Sequence, residues 1–519
     1  MLHFILAAVM GTASPAAKDC QAAFGTISAT DVSGQFEQVD GNAIGRNGLV
    51  ALRAARGNAL IIVRGGNFTG ADFRNTRIHN ICFVATNLAR SDWRGAHAQG
   101  VGFVHSNLAG ANLRGAWMPR ALFSTADLER ADASGANFSS GKLEGTALGS
   151  LQDLRLDRAN LTRFVFDCGI TEEDRCAHEK RISFRDANLS RAAISSYYGG
   201  ADWTNARLDG TGVSLRQLTD LRTARVVGPL VLRGGGASVR ISGSEYRTIL
   251  SHLSPEEEAR TPSFTCDRAR TRVEREICGP EGGRLRRLDR VVAGLYAEAR
   301  MIDPNVWARQ QVWLRARDRC DRNCLLDSYR RRRDELIIRI GRPHWARPGR
   351  RELFVAPSIE LDEAFRTSPL YRRMLPVIIG SASSYLVVRV NADGSIAAAG
   401  SAIGGNAHLC SLGGDRLNFD PKTGWISGTP VARPGDPPAW RKQPVPLLRF
   451  WGDHAEIYDR GHPPIQDDLR YLDYMQCGAR AGFDEMVRIP ATAALFTRLR
   501  AELNSRVGGD DDLIWALAR

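Results

Sequence analysis

Residues 81–115 read ICFVATNLARSDWRGAHAQGVGFVHSNLAGANLRG, and an apolar side chain stands at every fifth position from Phe83 to Leu113. The same register extends from Val63 to Leu148, where all 18 positions are apolar and 16 are larger than alanine. Gly, Ala, Ser or Thr stands two positions earlier in 15 of the 18 pentads. A helix repeats every ~3.6 residues and a strand every ~2 residues, so neither produces a strict period of five. The pattern predicts a coil with four five-residue sides, whose successive turns stack at the strand spacing of ~4.8 Å.

The position between the small and the large residue is often Asn or Asp, as in Ala71-Asp72-Phe73, Ala111-Asn112-Leu113 and Ala136-Asn137-Phe138. This pattern resembles the pentapeptide-repeat family, and the resemblance implies a right-handed quadrilateral β-helix over residues 61–222. Some members of that family inhibit DNA gyrase by imitating the shape and negative charge of duplex DNA. This repeat is not acidic, so the sequence argues against that role.

The register slips after Leu148, and residues 167–181 are predicted to form an insertion. A solenoid needs covered ends, so we expect residues 18–60 to form an N-terminal cap and residues 223–262 a cap or linker.

The N-terminus has the composition of a secretory signal. An apolar run from Leu2 to Met10 is followed by small residues, with a plausible cleavage point between Ala13 and Ala17. The run is too short to span a bilayer as a helix, and a hydrophobic N-terminal strand is the alternative. We therefore expect a signal peptide at residues 1–17, a periplasmic or secreted protein and no transmembrane segment.

Ten cysteines support that compartment, because local pairs are typical of disulfides formed under oxidising conditions. In sequence order they fall as Cys20 and Cys82, Cys168 and Cys176, Cys266 and Cys278, Cys320 and Cys324, and Cys410 and Cys477. The four within residues 263–341 allow three connectivities, of which sequence proximity favours Cys266–Cys278 with Cys320–Cys324. A break between helices near Asp321 would relieve the awkward geometry of the second bond. Zinc is the rival interpretation, since Cys168, Cys176 and His178 are closely spaced. No region combines two close pairs in a zinc-finger pattern, so disulfides are favoured and no metal or cofactor is predicted.

The basic charge is concentrated in one segment. The chain has 70 basic and 57 acidic residues, a net charge of +13, and residues 263–351 contribute 23 Arg against 12 acids. Four of these arginines surround one helical turn and are candidate anion-binding residues: Arg330, Arg331, Arg332 and Arg333. A merely solvated face is the alternative. No groove-reading motif accompanies the arginines, so sequence-specific nucleic-acid recognition is not expected.

Three amphipathic helices are predicted within residues 263–341, a small core of the kind that disulfides usually support. This segment resembles the N-terminal domain of the LprI-type lysozyme inhibitors. The resemblance is carried by the four cysteines and by Glu274, Tyr296, Trp313, Arg317, Asp318 and Tyr329. It implies lysozyme inhibition or recognition of another envelope partner. Most of these positions also have a packing or capping explanation, and animal-type lysozymes are themselves basic, which disfavours their binding to a basic domain.

Residues 342–376 contain five prolines and are predicted to be a linker with one short helix near Leu361 to Phe365, and residues 377–519 to be a β-rich α+β domain. A hairpin is expected at Asn391-Ala-Asp-Gly394, between two strands. The Cys410–Cys477 pair would join the two halves of this domain. No nucleophile or metal motif occurs. Carboxylate pairs for glycoside hydrolysis are confined to Asp453 with Asp459 and Glu360 with Glu363, pairs that arise by chance in an acid-rich chain.

The sequence thus predicts three domains: a solenoid, a disulfide-stapled helical domain and a β-rich C-terminal domain. The leading hypothesis is an exported bacterial binding or scaffold protein, not an enzyme. Its partner would be a protein or an envelope polyanion, with lysozyme and peptidoglycan as the named examples. A cell-wall-acting enzyme of the glycoside hydrolase type is the alternative.

Overall fold

The computed structural model describes residues 36–144, 151–167, 182–194, 201–253, 262–280, 282–343, 345–359, 361–403, 409–430, 443–458, 474–477 and 482–506. The chain divides into two compact units, Met1–Ser251 and His252–Arg519. No helix within these described ranges is both long and apolar enough to cross a membrane.

The first unit is an 11-stranded sheet in chain order, with a helix near each end. Its elements are β1 (Phe36–Asp40), α1 (Gly41–Ala55), β2 (Leu60–Arg64), β3 (Ile81–Val84), β4 (Gly102–Val104), β5 (Leu122–Ser124), β6 (Lys142–Glu144), β7 (Val165–Asp167), β8 (Ala193–Ile194), β9 (Gly212–Ser214), β10 (Leu230–Gly234), β11 (Ala237–Ile241) and α2 (Gly243–His252). The strands from β1 to β10 pair in parallel, and β11 pairs antiparallel with β10.

The repeat forms coils of four pentads each, as the register predicts. Val63 pairs with Phe83, Phe83 with Phe103, and Phe103 with Phe123. Three further columns of parallel bridges begin at Asn67, Asp72 and Arg77 and give each coil its other three sides. Every pentad position from Val63 to Leu143 is at most 3% exposed. The prediction that these side chains face inward is confirmed.

Residues with positive φ and Asx turns form the corners of each coil. The second residue after each large apolar one has a positive φ from Gly70 to Ser140, which turns the chain at each corner. Just before the corner, an Asn or Asp side-chain oxygen accepts a bond from the backbone N–H two residues later. Asp72 does so from Arg74 at 2.9 Å, and Asn107 from Ala109 at 2.8 Å. Such Asx turns stabilise the corner locally.

Two later coils are longer than four pentads, and the next coil, from Ala193 to Gly212, is one residue shorter. Leu143 pairs with Phe166 and Phe166 with Ile194, so extra chain is accommodated between stacked coils. The predicted insertion at 167–181, with Cys168 and Cys176, lies outside the described residues except for Asp167, the last residue of β7.

The second unit begins with four helices: α3 (Arg272–Cys278), α4 (Gly283–Ile302), α5 (Val306–Arg317) and α6 (Arg322–Ile340). Their common core contains Val273, Leu295, Leu325, Tyr329 and Leu336. Disulfides join Cys266 to Cys278 and Cys320 to Cys324.

The second of these bonds depends on a break between helices. Cys320 lies after the end of α5, and Asp321 caps α6 by accepting a 2.9 Å bond from the Cys324 N–H. Two cysteines four apart on one continuous helix would be awkward to join. The break that the Cys320–Cys324 pairing needs is present near Asp321.

The described residues of the remainder of the second unit form a closed antiparallel barrel with three helices. Its elements are β12 (Arg351–Ala356), α7 (Glu363–Arg366), α8 (Pro369–Gly380), β13 (Ser384–Val390), β14 (Ile396–Ile403), β15 (Leu409–Phe419), β16 (Ile426–Gly428), β17 (Val445–Trp451), β18 (His454–Ile457), β19 (Met475–Cys477), β20 (Met486–Ile489) and α9 (Ala493–Arg506). Eight strands form the ring in the order β14-β13-β12-β20-β18-β17-β16-β15, closed by β15 pairing with β14, and β19 adds to β15. Cys410 of β15 is joined to Cys477 of β19.

The structure differs from the sequence prediction in residues 342–376. This segment is not a linker, because it supplies the barrel strand β12, helix α7 and the start of α8. Strand β12 lies between β13 and β20, and its Phe354 is fully buried. Strand β20 comes from near the C-terminal end of the chain. Pro369 begins α8, where its missing N–H costs nothing. The prolines of this segment therefore lie within or beside helices and strands.

Candidate functional site

The candidate site is a groove between α5 and α6, hereafter the α5–α6 groove. It encloses about 930 Å³, within the range of ligand-binding clefts. Its lining residues come from facing turns of the two helices: Val306, Ala308, Arg309, Val312, Trp313, Arg332, Glu335, Leu336, Ile338 and Arg339. Apolar side chains thus form the floor, and four charged groups surround it.

Arg332 is the polar centre of the groove. Its side chain is only 4% exposed, although it belongs to the arginine run. Nε donates a 2.9 Å hydrogen bond to Gln310 Oε1, and Nη1 lies 3.0 Å from Glu335 Oε2. The guanidinium carbon lies 5.9 Å from the centre of the Trp313 ring. Within the described part of the chain, the buried Nη2 has no hydrogen-bond partner. A buried donor without an acceptor is costly, so this atom is suited to meet an acceptor on a ligand.

Exposed apolar side chains accompany the groove, in helix α5 and at the end of α4. Four of them are exposed by more than half and are called the apolar rim: Met301 at 82%, Ile302 at 56%, Trp307 at 57% and Val312 at 59%. Elsewhere in the described ranges, only Trp117 and Val227 are comparable. Four such residues within twelve positions form a cluster of the kind that marks an interaction surface.

A buried polar network supports the helices beneath the groove. The Tyr329 hydroxyl donates a 2.7 Å bond to Asp289 Oδ1 and accepts a 3.1 Å bond from Arg317 Nη1. Asp289 Oδ2 also accepts a bond from the Ser263 N–H at 2.7 Å. Burial and the neighbouring Asp289 carboxylate raise the pKa of Tyr329. The network joins α4, α5 and α6, so it fixes the walls of the groove.

The remaining residues that resemble the LprI-type pattern have local roles. Glu274 completes a capping box with Thr271 at the start of α3. Asp318 accepts a 2.8 Å bond from Arg317. Tyr296 packs against the helical core. Trp313 meets the Tyr329 ring edge-on at 5.1 Å and donates to Ser328. These contacts are structural, and only Trp313 lines the groove.

The four predicted anion-binding arginines do not share one surface. Arg330 and Arg331 are exposed, Arg332 is buried in the groove, and Arg333 is half-buried beside Asp334. Their successive positions around the helix send them in different directions. The solvent-facing arginines of this run are therefore Arg330 and Arg331, whereas Arg332 faces the groove.

Candidate catalytic and metal residues are placed as follows. Asp453 pairs with Arg488 at 2.6 Å, while its proposed partner Asp459 lies outside the described residues, as does Glu360. No group of His, Cys, Asp and Glu within the described ranges could hold a metal ion.

Sequence reasoning did not identify the groove. In the sequence, Val306, Gln310, Trp313 and Arg317 recur at helical spacing, which predicts that this face of α5 packs on the core. Trp307 and Val312 were the sequence signal for the groove, because these two large apolar residues lie outside the face that packs on the core. Large apolar residues on the solvent-facing side of an amphipathic helix indicate an interaction surface.

Comparison with known proteins bears on the solenoid alone. The profile of the family described as pentapeptide repeats matches eight copies, in residues 83–115 and 106–145. No curated protein matches the chain.

Solved structures of pentapeptide-repeat proteins are also similar. A trypsin-treated variant of QnrB1, a plasmid-mediated fluoroquinolone resistance protein, is 14% identical with a TM-score of 0.23, over 36% of this chain and 83% of its own. HetL from the cyanobacterium Nostoc sp. strain PCC 7120, involved in heterocyst differentiation regulation, is 20% identical with a TM-score of 0.15, over 36% of this chain and 76% of its own. A thylakoid-lumen protein from Arabidopsis thaliana is 17% identical with a TM-score of 0.12, over 30% of this chain and 73% of its own. The four-pentad coils and the matching profile together identify the segment around residues 83–145 as a run of pentapeptide repeats.

Proposed function

We propose that this chain is an exported, non-catalytic binding protein that captures a segment of a partner protein in the α5–α6 groove. The pentapeptide-repeat solenoid is its scaffold. The bound segment carries an apolar side chain next to a carboxylate. The observation that carries this proposal is the buried Nη2 of Arg332, which has no hydrogen-bond partner among the described residues and lies near the exposed apolar rim.

Charge and shape both support such a segment. Among the described lining residues, Arg309, Arg332 and Arg339 accompany one acid, Glu335, which gives a net charge of +2. Arg339 is also paired with Asp303, outside the lining, at 3.3 Å. A carboxylate placed at Arg332 would meet a donor that has already lost its water, which strengthens the hydrogen bond. An apolar side chain of the same segment would cover Val312 and Trp307, which removes apolar surface from water.

Export is supported by the disulfides. Three described bonds join Cys266–Cys278, Cys320–Cys324 and Cys410–Cys477, and Cys82 is also disulfide-bonded. Such density is typical of an oxidising compartment. Free thiols at these positions in protein recovered from the periplasm or medium would contradict export.

Lysozyme inhibition is the second candidate, favoured by the two cysteine pairs and the helix order of residues 263–341, which resemble LprI-type proteins. Turbidimetric lysis of bacterial cells, with and without the purified chain, tests it directly. If a lysozyme is bound through the groove, the Val312→Asp variant should lose inhibition. Inhibition that persists in this variant would place the contact elsewhere.

The proposed groove function is tested by selecting peptides from a random display library on the full-length oxidised protein. Enriched sequences should combine Asp or Glu with a neighbouring aromatic or aliphatic residue. Their affinity, measured by calorimetry, should fall at least about tenfold in Val312→Asp and Trp307→Ser, because each removes apolar contact area.

The matched control is Val227→Asp, an equally apolar residue that is 68% exposed in the first unit. Unchanged binding in the control with loss in the groove variants supports the site. Selected peptides without acids, or equal losses in all three variants, would overturn the proposal.

A further inference from the structure

One side of the solenoid carries a continuous column of basic, aromatic and amide side chains, one residue per coil. Parallel bridges connect its members in the order Arg77, His97, Trp117, Asn137, Asn160, Asn188 and Arg207. We call this surface the asparagine side. Its members are spaced by one coil, ~4.8 Å, which is comparable with the length of one sugar unit in an extended glycan.

The three asparagines are held in one orientation by their own turns. Asn137 Oδ1 accepts from the Ser139 N–H at 3.0 Å, Asn160 Oδ1 from Thr162, and Asn188 Oδ1 from Ser190. Because each oxygen is used in the corner, each Nδ2 is left as a donor. Over the described residues, no acceptor bonds to any of the three Nδ2 atoms. The result is a row of amide donors in register.

A trough of about 570 Å³ lies beside the lower part of this row. Arg163 and Arg191 line it from neighbouring coils, and both are exposed. The described part of the chain offers neither of them an acidic partner, whereas Arg207 in the same trough is paired with Asp209. The buried Oγ of Ser190 also has no partner among the described residues. The trough is therefore rich in donors and carries two like charges one coil apart, a combination that favours an anion.

An aromatic surface lies at the other end of the row. Trp117 is 39% exposed, and its ring centre lies 5.7 Å from that of His97 on the preceding coil. Sugar rings present a face of C–H groups that packs against an exposed indole. Proteins that bind single-stranded nucleic acid place aromatic side chains along the length of the strand. Within the described ranges, the asparagine side carries aromatic residues at one end only.

We propose that the asparagine side binds an acidic glycan laid along the solenoid axis. One sugar ring packs on Trp117. Hydroxyl oxygens of the following sugars accept from the Nδ2 groups of Asn137, Asn160 and Asn188. A carboxylate or sulfate binds between Arg163 and Arg191. This site is separate from the α5–α6 groove and does not depend on the function proposed for it.

The test uses the full chain and three probes in calorimetric titrations: oligogalacturonate, a heparin oligosaccharide of equal length, and neutral dextran. The double variant Asn160→Asp/Asn188→Asp keeps both turns, since Asp72 and Asp132 make the same bond in this solenoid. It replaces two donors with two negative charges. We expect its affinity for the acidic probe to fall at least about tenfold, and dextran to bind the parent at least tenfold more weakly than the acidic probe. Comparison of the two acidic probes distinguishes carboxylate from sulfate.

The control is Asn87→Asp/Asn107→Asp, which makes the same charge change on another side of the coil. It should alter affinity by no more than about twofold, because exposed charges beyond a Debye length are screened. If the first double variant melts at a lower temperature, Trp117→Ala and Arg163→Gln/Arg191→Gln take its place. Equal losses in site and control variants, equal binding of dextran, or tighter binding of a single-stranded oligonucleotide of matched charge would each overturn the proposal.

Discussion

The guanidinium of Arg449, in strand β17 of the barrel, donates a 2.8 Å hydrogen bond to the Asp334 carboxylate in helix α6. Arg449 is 2% exposed, and its Nε also bonds Glu456 at 2.6 Å. The guanidinium carbon lies 4.4 Å from the centre of the Trp425 ring. A nearly buried cation is thus held by two carboxylates and an aromatic face, and it joins the helical segment to the barrel.

Replacing Arg449 with Met should destabilise the second unit by about 3 kcal/mol, since Glu456 loses its buried partner and Asp334 is left with Arg333 alone among the described residues. Chemical denaturation followed by circular dichroism measures the change. Arg350→Met is the control, because Arg350 is 64% exposed and its contact with Glu352 is long. That variant should lie within about 0.5 kcal/mol of the parent. Similar losses in both variants would show that the Arg449 contacts contribute nothing specific.

Phe103→Asp should destabilise the solenoid severely, by about 4 kcal/mol or more. The side chain is fully buried between Phe83 and Phe123, at ring distances of 5.6 and 5.4 Å, and a carboxylate there would have no partner. His105→Asp, at an exposed corner of the same coil, should change little. Thermal melting of both variants checks the register. A Phe103→Asp protein that melts like the parent would mean that Phe103 does not face inward.

Tyr329→Phe should cost about 2 kcal/mol, because it removes one hydroxyl and leaves Asp289 and Arg317 without their shared partner. The ring, and therefore the apolar packing, is kept. Tyr296→Phe is the matched control, with an expected change below about 0.5 kcal/mol. Urea denaturation gives the free energy of unfolding of both variants. Equal losses would mean that the cost comes from removing any tyrosine hydroxyl and not from the network.

The pH dependence of stability should include a contribution from Glu485. Burial raises the pKa of this carboxyl, but His454, 2.9 Å away, and Arg287 outweigh burial and lower it below its ordinary value of 4.5. A lowered folded-state pKa gives stability that is present above pH 4.5 and is lost as pH falls through the folded-state value. Denaturation at a series of pH values should show this loss, and Glu485→Gln should remove that part of the slope. An unchanged slope would contradict the assignment.

The arginine run should separate into a surface part and a structural part. Arg330→Gln/Arg331→Gln should leave stability within about 0.5 kcal/mol, since both residues are exposed and Gln has a similar helix propensity. Arg332→Gln should cost about 2 kcal/mol, because Gln310 and Glu335 lose a buried partner. Polyanion binding that falls steeply with salt in the parent and is lost in the double variant would show that the exposed pair binds anions.

The sequence by itself determined what depends on neighbours along the chain. Each coil side is one pentad, and its corner and Asx turn involve residues only two positions apart, so the pentads predicted both the solenoid and its inward register. The same holds for Cys320 and Cys324, whose short separation makes a disulfide awkward on one continuous helix and so favoured a break near Asp321. The hairpin around Asp393 was predictable for the same reason.

The tertiary structure decided what depends on residues distant in the chain. Residues 351–356 become a barrel strand because β20, from near the C-terminal end, closes the ring beside them. Arg332 is buried and Arg331 exposed because α5 packs on one side of α6, which no local pattern reveals. The α5–α6 groove exists only between two packed helices. Arg449 bonds Asp334 only because the barrel packs against the helices. Long-range packing selects among many locally acceptable arrangements, so these features could not be predicted from periodicity or spacing alone.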